Sequence, residues 1–197
     1  MKDILLVGED VLCCALGKKI IEAALPDWSI SGLPIDKKGI TRLLPELPRY
    51  AECARHVRPV LCIADTDNKC PVEIRKQWLP PEAPQELLFR LAVSEAESWI
   101  LADRHAVAQF FDVPLGVVPK APESIKDPKS EMLKIAGRSR KKSIRSEMLT
   151  AGQQVRPGPG YNVHLGALIA QAWDVVRAQE NCPSLRRAVI NVQSLSA

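Results

Sequence analysis

Short apolar runs separated by polar turns recur along the first half of the chain. Residues 4–7, 60–64 and 87–93 form such runs, and only Arg90 interrupts the third. A continuous apolar run of roughly four to eight residues bounded by turn residues predicts a strand buried on both faces of a sheet. Residues 28–30 are a shorter candidate strand, whereas residues 33–38 predict a loop because they combine a proline with charges.

Apolar side chains at helical spacing follow these runs. Leu12, Leu16 and Ile20, for example, recur on one helix face directly after the first run. The predicted helices are residues 11–25, residues 40–57 with two prolines that must kink or split them, residues 72–78, and residues 95–111 with Ser94 as a candidate N-cap. Alternation of strands and helices predicts an α/β fold, with a parallel-type sheet covered by helices on both faces.

The pattern changes after residue 111. Prolines punctuate residues 112–128 and predict a loop-rich region that ends in the segment DPKSEMLKIAG. The segment QQVRPGPG, residues 153–160, predicts a further loop, while residues 161–179 and 183–195 have helical spacing. We therefore expect residues 1–111 to form the α/β core, and residues 112–197 to form a loop-rich and helical part packed on that core.

Composition limits the class of protein more than it identifies a function. The 197 residues are 46% hydrophobic and 25% charged, with a formal net charge of +4, which permits a polyanionic partner without requiring one. The six cysteines include no C-x-x-C pair, so a reduced, cytoplasmic protein is the simplest interpretation. No run approaches about 18 apolar residues, and the first apolar run is too short for a signal peptide, so we expect no membrane span.

Carboxylates follow three of the predicted strands. They are Glu9 after the first, Asp65 and Asp67 after the second, and Glu95 and Glu97 after the third. Because the carboxyl ends of parallel strands meet at one sheet edge, these side chains are expected to converge there, where a divalent cation such as Mg²⁺ or Mn²⁺ would offset their repulsion. The alternative is that the aspartates turn the chain, and that Glu9 and its neighbour Asp10 cap a helix.

Two further features outside the strand ends each have a structural and a functional interpretation. Asp103 falls in the apolar stripe of a predicted helix, and we expect it to be paired structurally rather than to bind metal. Five of residues 137–145 are basic, and they form either a solvated face or a set of phosphate contacts. These candidate nucleic-acid-binding residues are Arg138, Arg140, Lys141, Lys142 and Arg145.

The acidic pattern resembles the Toprim family, the metal-binding domain of topoisomerases, bacterial primases and overcoming-lysogenisation-defect nucleases. That family has a Glu after its first strand and a D-x-D after a later strand, matched here by Glu9 and by Asp65 and Asp67. The whole chain is more closely similar to a group of small bacterial Toprim-like proteins often associated with phage defence. The matching segments are LLVGEDVL, IADTDNKCP, LAVSEAESWILAD, VPKAPESIKDPKS and PGPGYN.

The resemblance implies a metal-dependent nuclease acting on DNA or RNA. Glu9, Asp65 and Asp67 would hold one or two Mg²⁺ or Mn²⁺ ions, with Glu95 or Glu97 completing the set, and the order Gly8-Glu9-Asp10 leaves open which carboxylate of that turn binds. Lys129 is the candidate for stabilising negative charge on the phosphate, with an ordinary surface lysine as the alternative. Glu9 and Lys129 are thus the candidate catalytic residues.

The resemblance also leaves other functions open. One alternative is a catalytically weak Toprim-like subunit that binds a partner protein or nucleic acid, and another is an enzyme acting on a phosphate ester of a small nucleotide. A partner defence protein that supplies the trigger, and an oligomer, are both compatible with this interpretation. The chain has no G-x-x-x-x-G-K segment, so we expect no ATPase activity of its own.

Overall fold

A parallel sheet forms the centre of the computed structural model, which describes residues 2–150 and 156–196. The strands in this part of the chain are β1 (Asp3–Gly8), β2 (Ser29–Ile30), β3 (Ile35–Asp36), β4 (Val60–Asp65) and β5 (Leu87–Ala92). Their order is β2-β1-β4-β5, and β3 pairs with β1 beside β2. All pairings are parallel, and the register sets Gly8 opposite Ile63 and Asp65 opposite Ala92.

Helices cover both faces of this sheet. They are α1 (Val11–Ala24), α2 (Ile40–Leu43), α3 (Leu47–His56), α4 (Pro71–Trp78), α5 (Ala96–Ala102), α6 (Arg104–Phe111), α7 (Pro128–Gly137), α8 (Lys142–Met148), α9 (Tyr161–Gln171), α10 (Val175–Glu180) and α11 (Pro183–Gln193). Short 3-10 turns occupy Leu44–Glu46, Leu115–Val117, Pro122–Ser124 and Ser194–Ser196. Among the described residues, no helix is both long and apolar enough to cross a bilayer.

Strand side chains alternate between two hydrophobic cores because successive residues of a strand point to opposite faces. Helices α2, α3 and α4 close the smaller core, and α1 with the helices from α5 onward close the larger one. The larger core receives Ile4, Leu6, Leu61, Ile63, Leu88 and Ala92 from the strands. The predicted fold class, a parallel sheet with helices on both faces and a helical C-terminal part, is confirmed.

Several predicted element boundaries differ from those of the structure. The segment 33–38, predicted as a loop, contains β3, and the region predicted to be loop-rich ends in helix α7. The helix predicted over residues 161–179 is two helices, because the Asp174 carboxylate caps α10 through the Arg177 N–H. Of the predicted loop QQVRPGPG, residues 153–155 lie outside the described part of the chain.

The helix predicted over residues 95–111 is also two helices, and Asp103 separates them. Its side chain caps α6 by accepting from the Ala106 N–H, and it is only 1% exposed. The same carboxylate accepts from the Asp174 N–H and from two nitrogens of the Arg177 guanidinium, Nε at 3.1 Å and Nη2 at 2.7 Å. The expectation that Asp103 is buried and paired is confirmed, and its pairing fixes α10 against α5 and α6.

Candidate active site at the carboxyl edge of the sheet

The first part of the site is the tight turn between β1 and α1. Gly8 is needed there, since a Cβ at that position would lie 2.6 Å from the Cys14 Sγ and 2.7 Å from the Asp10 carbonyl oxygen. Asp10 caps α1 by accepting from the Cys13 N–H at 2.8 Å, as the capping alternative predicts. The turn therefore presents Glu9 at the sheet edge while Asp10 holds the start of the helix.

Glu9 joins two neighbouring strands at this edge. Its Oε2 accepts from the Asp65 backbone N–H at 3.0 Å, and its own N–H donates to the Ile63 carbonyl at 2.8 Å. The carboxylate also accepts a backbone hydrogen bond from Ile40. Burial, partly offset by these hydrogen bonds and reinforced by the charges of Asp67 and Asp10, raises the pKa of Glu9 above its usual value. Glu9 therefore has a structural role, since its hydrogen bonds link the ends of β1 and β4.

The loops after β4 and β5 are tied together beyond the end of the sheet. The Thr66 N–H donates to the Ala92 carbonyl at 3.1 Å, and the Thr66 hydroxyl accepts from the Ser94 N–H at 2.8 Å. Asp67, Asn68 and Ser94 have left-handed backbones, with φ of 48, 63 and 63°. Non-glycine residues keep such backbones only where the surroundings hold them, and these bonds do so. The two loops therefore form one rigid rim.

Ser94 is not the N-cap of α5. The cap is Glu95, and the Ser94 hydroxyl instead donates to the Asn68 Oδ1 at 3.0 Å. The prediction was wrong because the left-handed backbone at Ser94 moves the start of the helix one residue along. As a result the Glu95 and Glu97 side chains begin α5 directly beside the end of β4.

Asp65, the last residue of β4, lies at the centre of these carboxylates. Burial, together with the negative charges of Glu9, Glu97 and Asp10, raises its pKa to about 9. Within the described residues, the protein donor that reaches its side chain is the Cys13 thiol, with the sulfur 4.0 Å from Oδ1. A half-buried carboxylate with like-charged neighbours and so weak a donor retains a proton or attracts a cation.

Lys129 brings positive charge to the same edge from the start of α7. Its backbone N–H donates to the Glu95 Oε2 at 2.8 Å, which anchors the helix. Its Nζ lies 3.7 Å from the Glu97 Oε1 and 3.9 Å from the Glu95 Oε1. Burial disfavours the charged ammonium, but the nearby carboxylates outweigh it and hold the pKa of Lys129 above its usual value. Lys129 therefore stays charged beside Glu97.

Glu97 is held from the other side by Tyr161, the first residue of α9. The Tyr161 hydroxyl donates to the Glu97 Oε1 at 2.9 Å, and both residues are buried. Burial raises the pKa of Glu97 despite the opposing charge of Lys129. Burial and the Glu97 charge raise the pKa of Tyr161 far above the usual value, so the phenol positions Glu97 and cannot readily ionise to a nucleophile.

A cleft runs past these groups on both sides of Lys129. A cavity of about 580 Å³ includes Asn68, Glu95 and Lys126 in its lining, and one of about 270 Å³ includes Asp10, Glu97 and Tyr161. Lys129 and Pro157 line both cavities, so the two are adjacent. Cavities of this size accommodate a nucleotide-sized group.

The structure thus brings together Glu9, Asp65, Glu95, Glu97 and Lys129, as well as Asp10. Asp67 lies at the same rim with an exposed side chain, and its left-handed backbone turns the chain as the structural alternative predicts. The basic run lies apart, beyond the far end of α7, about 14 Å along the helix axis from Lys129. The structure gives the positions of these residues, and their roles in binding metal and nucleic acid stay predictions.

Some contacts of the site were not predicted from the sequence. Thr66, Asn68 and Tyr161 carry the hydrogen bonds that shape the rim and hold Glu97, but each belongs to a residue type that is common in loops or cores. Thr66 and Asn68 alternate with the D-x-D aspartates, which is the one signal that could have identified them. Tyr161 is 64 residues from Glu97, so no local pattern could reveal that contact.

The donor chemistry suits a hard divalent cation, although the ligand set is incomplete. Within residues 2–150 and 156–196, no three His, Cys, Asp or Glu side chains are grouped so that they could hold a metal ion by themselves. Mg²⁺, however, is usually bound through one or two carboxylates, with waters and substrate phosphates as the other ligands. Asp65, with Glu9 or Glu97 beside it, fits that mode of binding.

Comparison with protein-family models, with curated proteins and with solved structures finds no match for this chain.

Proposed function

We propose that this protein is a divalent-metal-dependent phosphodiesterase that cleaves DNA or RNA, with a Toprim-like site at the carboxyl edge of its sheet. The observation that carries the proposal is the crowding of Asp65, whose pKa is raised to about 9 by burial and by Glu9 and Glu97. Crowded carboxylates at the edge of a parallel sheet, next to a cleft, are typical of a catalytic site rather than of a structural one.

Asp65 would be the central ligand, with Glu9 or Glu97 as the second and Asp67 as an outer ligand. A bound Mg²⁺ or Mn²⁺ supplies Lewis acidity towards a phosphate oxygen and lowers the pKa of a bound water. Lys129, held 3.7 Å from Glu97, would donate to the scissile phosphate and stabilise the charge that develops on it. Tyr161 keeps Glu97 oriented through its hydrogen bond.

Nucleic acid is the substrate class that the surface supports best. Arg138 and Lys142 are exposed, and among the described residues neither has an ion-pair or hydrogen-bond partner for its side chain. Lys141 and Arg145, by contrast, donate to the carbonyls of Phe110 and Ser139. Arg138 and Lys142 lie about the length of helix α7 away from Lys129. They are suited to contact phosphates of a nucleic-acid strand that passes through the cleft.

A reducing compartment is consistent with this function. All six cysteines are free thiols in the structure. We therefore assign the protein to the cytoplasm, where nucleic-acid substrates are also present.

The direct test is cleavage of supercoiled plasmid and of transfer RNA by the purified chain with Mn²⁺, with Mg²⁺ and with a chelator. Activity should require the metal, fall at least about 100-fold in Asp65→Asn, and fall at least about 10-fold in Lys129→Met. Lys134→Met is the matched control, since Lys134 lies on the same helix but pairs with Glu131 on the surface.

The outcome separates this function from the alternatives. Metal-independent cleavage, or equal loss in Lys129→Met and Lys134→Met, would contradict the proposed roles. Binding of nucleic acid without any cleavage would favour the non-catalytic Toprim-like subunit. Hydrolysis of small nucleotide esters but not of polymers would favour the small-nucleotide enzyme.

A further inference from the structure

Three arginines line a small pocket at the free edge of β5, the edge that faces away from β4. Arg75 comes from α4, Arg90 from β5 and Arg187 from α11, and Ser184 also lines the pocket. The Glu86 and Ala92 carbonyls accept hydrogen bonds from the Val60 and Thr66 amides and therefore face β4. Successive carbonyls of a strand point to opposite sides, and Phe89 is three residues from both Glu86 and Ala92, so its carbonyl faces the free edge of β5. The Arg75 guanidinium donates to that carbonyl and thereby covers part of the free edge.

Arg90 is the one charged residue of β5, and it points to the same face as Leu88 and Ala92, against α11. Its Nε is buried and has no hydrogen-bond partner within the described residues. A buried donor left unpaired costs free energy, so such a group in a folded protein requires an explanation. Burial, with the nearby charge of Arg75, lowers the pKa of Arg90 to about 10.

Within the described part of the chain, no carboxylate compensates this positive charge. None of the ion pairs found there includes Arg75, Arg90 or Arg187. Elsewhere in the molecule a partly buried guanidinium does find such a partner, as Arg58 does with Asp3. The three side chains therefore create a local positive field that an anion would relieve.

The size of the pocket limits what that anion can be. Its volume is about 80 Å³, the space of about two to three water molecules. This is far below the roughly 300 Å³ at which pockets begin to hold a drug-sized ligand. A single tetrahedral oxyanion fits, whereas a whole nucleotide does not, and guanidinium forks are the groups that bind phosphate oxygens in pairs.

We propose that Arg75, Arg90 and Arg187 form a binding site for one phosphate group, separate from the acidic edge of the sheet. The Arg90 Nε would find its missing acceptor in a phosphate oxygen, and the exposed Arg187 would close the site from solvent. The phosphate is either the free ion or the terminal group of a nucleotide whose remainder stays outside the pocket. This site needs no metal and does not depend on the proposed nuclease activity.

The test is calorimetric titration of the full chain with inorganic phosphate, in a chelator and at constant ionic strength set by chloride. Wild type should bind phosphate at one site, and Arg187→Met and Arg90→Met should each weaken binding at least about tenfold. Arg186→Met is the matched control, since Arg186 precedes Arg187 on α11 but donates to the Gln179 and Glu180 carbonyls on the exposed side. It should bind as wild type does.

A parallel titration with adenosine 5′-monophosphate identifies the source of the phosphate. Tighter binding than inorganic phosphate would assign the site to a terminal phosphate, and weaker binding would assign it to the free ion. Absence of phosphate binding in wild type, or equal affinity in wild type and Arg187→Met, would overturn the proposal. Arg187 is exposed, so its variant carries the test even where Arg90→Met does not fold.

Discussion

Asp65, at the end of β4, and Asp103, at the start of α6, are both shielded aspartates, yet their surroundings are opposite. Asp103 accepts hydrogen bonds from the Ala106 and Asp174 amides and from two nitrogens of Arg177. Asp65 has a distant thiol donor and three negative neighbours that the charge of Lys129 offsets only in part, and its pKa is raised to about 9. One carboxylate is matched by hydrogen-bond donors of the protein, and the other is not.

The difference separates a structural acid from one that we propose to be functional. Each oxygen of a buried structural carboxylate accepts hydrogen bonds from the protein, because burying a carboxylate without such donors lowers stability. The protein tolerates the unmatched Asp65 because neighbouring loops, tied through Thr66 and Ser94, hold it in place. Asp103 is therefore the stabilising aspartate of the two, and Asp65 is the one that we propose binds a cation.

The largest expected effect is a pH dependence that originates at Asp65. Its folded-state pKa of about 9 lies above the 3.8 typical of the residue, so the folded protein holds a proton that the unfolded chain has released. In a chelator, this contribution to stability is complete below about pH 4 and is lost as the pH rises towards 9, at up to about 1.4 kcal/mol per pH unit.

Urea unfolding at a series of pH values measures this dependence. Asp65→Asn should flatten the decline between about pH 4 and 9, because the amide does not titrate. Glu9, Glu97, Asp10 and Lys129 surround Asp65 and remain in the variant, so the difference between the two curves reports the titration of Asp65 together with its coupling to these groups. Curves that fall in parallel would show that Asp65 is compensated in the same way as Asp103.

A somewhat smaller effect is expected at Asp103. Asp103→Ala leaves the Ala106 and Asp174 amides without their acceptor and removes the carboxylate partner of Arg177, and should lower the free energy of unfolding by about 2 to 3 kcal/mol. Asp27→Ala, at an exposed position, is the control and should change it by less than about 0.5 kcal/mol. A stable Asp103→Ala that has lost metal affinity would reverse the two assignments.

The smallest effect concerns the basic run. Replacing Arg138 and Lys142 together with alanine should lower nucleic-acid affinity and reduce the slope of log affinity against log salt by about one unit for each phosphate that is no longer bound. The Lys141→Ala and Arg145→Ala pair is the comparison, since both side chains already donate to backbone carbonyls. Filter binding across a salt series gives both slopes, and an unchanged slope in both pairs would mean that the run is only a solvated face.

Much of this arrangement was predictable from the sequence, since strand ends in a parallel sheet must share an edge. The apolar runs before Glu9, Asp65 and Glu95 predict that these carboxylates converge. The contact between Tyr161 and Glu97 was not predictable, because the two residues are 64 positions apart and periodicity does not detect such a contact. The split of the helix at Asp103 has a local cause, the cap on the Ala106 N–H, but the apolar spacing on both sides of Asp103 predicts one continuous helix.

The most direct test of Asp65 as a metal ligand is a set of thermal melts across a Mn²⁺ titration, with wild type, Asp65→Asn and Asp67→Asn compared. At about 100 times the dissociation constant, Mn²⁺ should stabilise wild type by about 2.7 kcal/mol, or about 5 to 10 °C. Asp65→Asn should lose this shift while melting no lower than wild type in chelator, and Asp67→Asn should weaken it. An identical Mn²⁺ shift in wild type and Asp65→Asn would contradict the assignment of Asp65 as the central ligand.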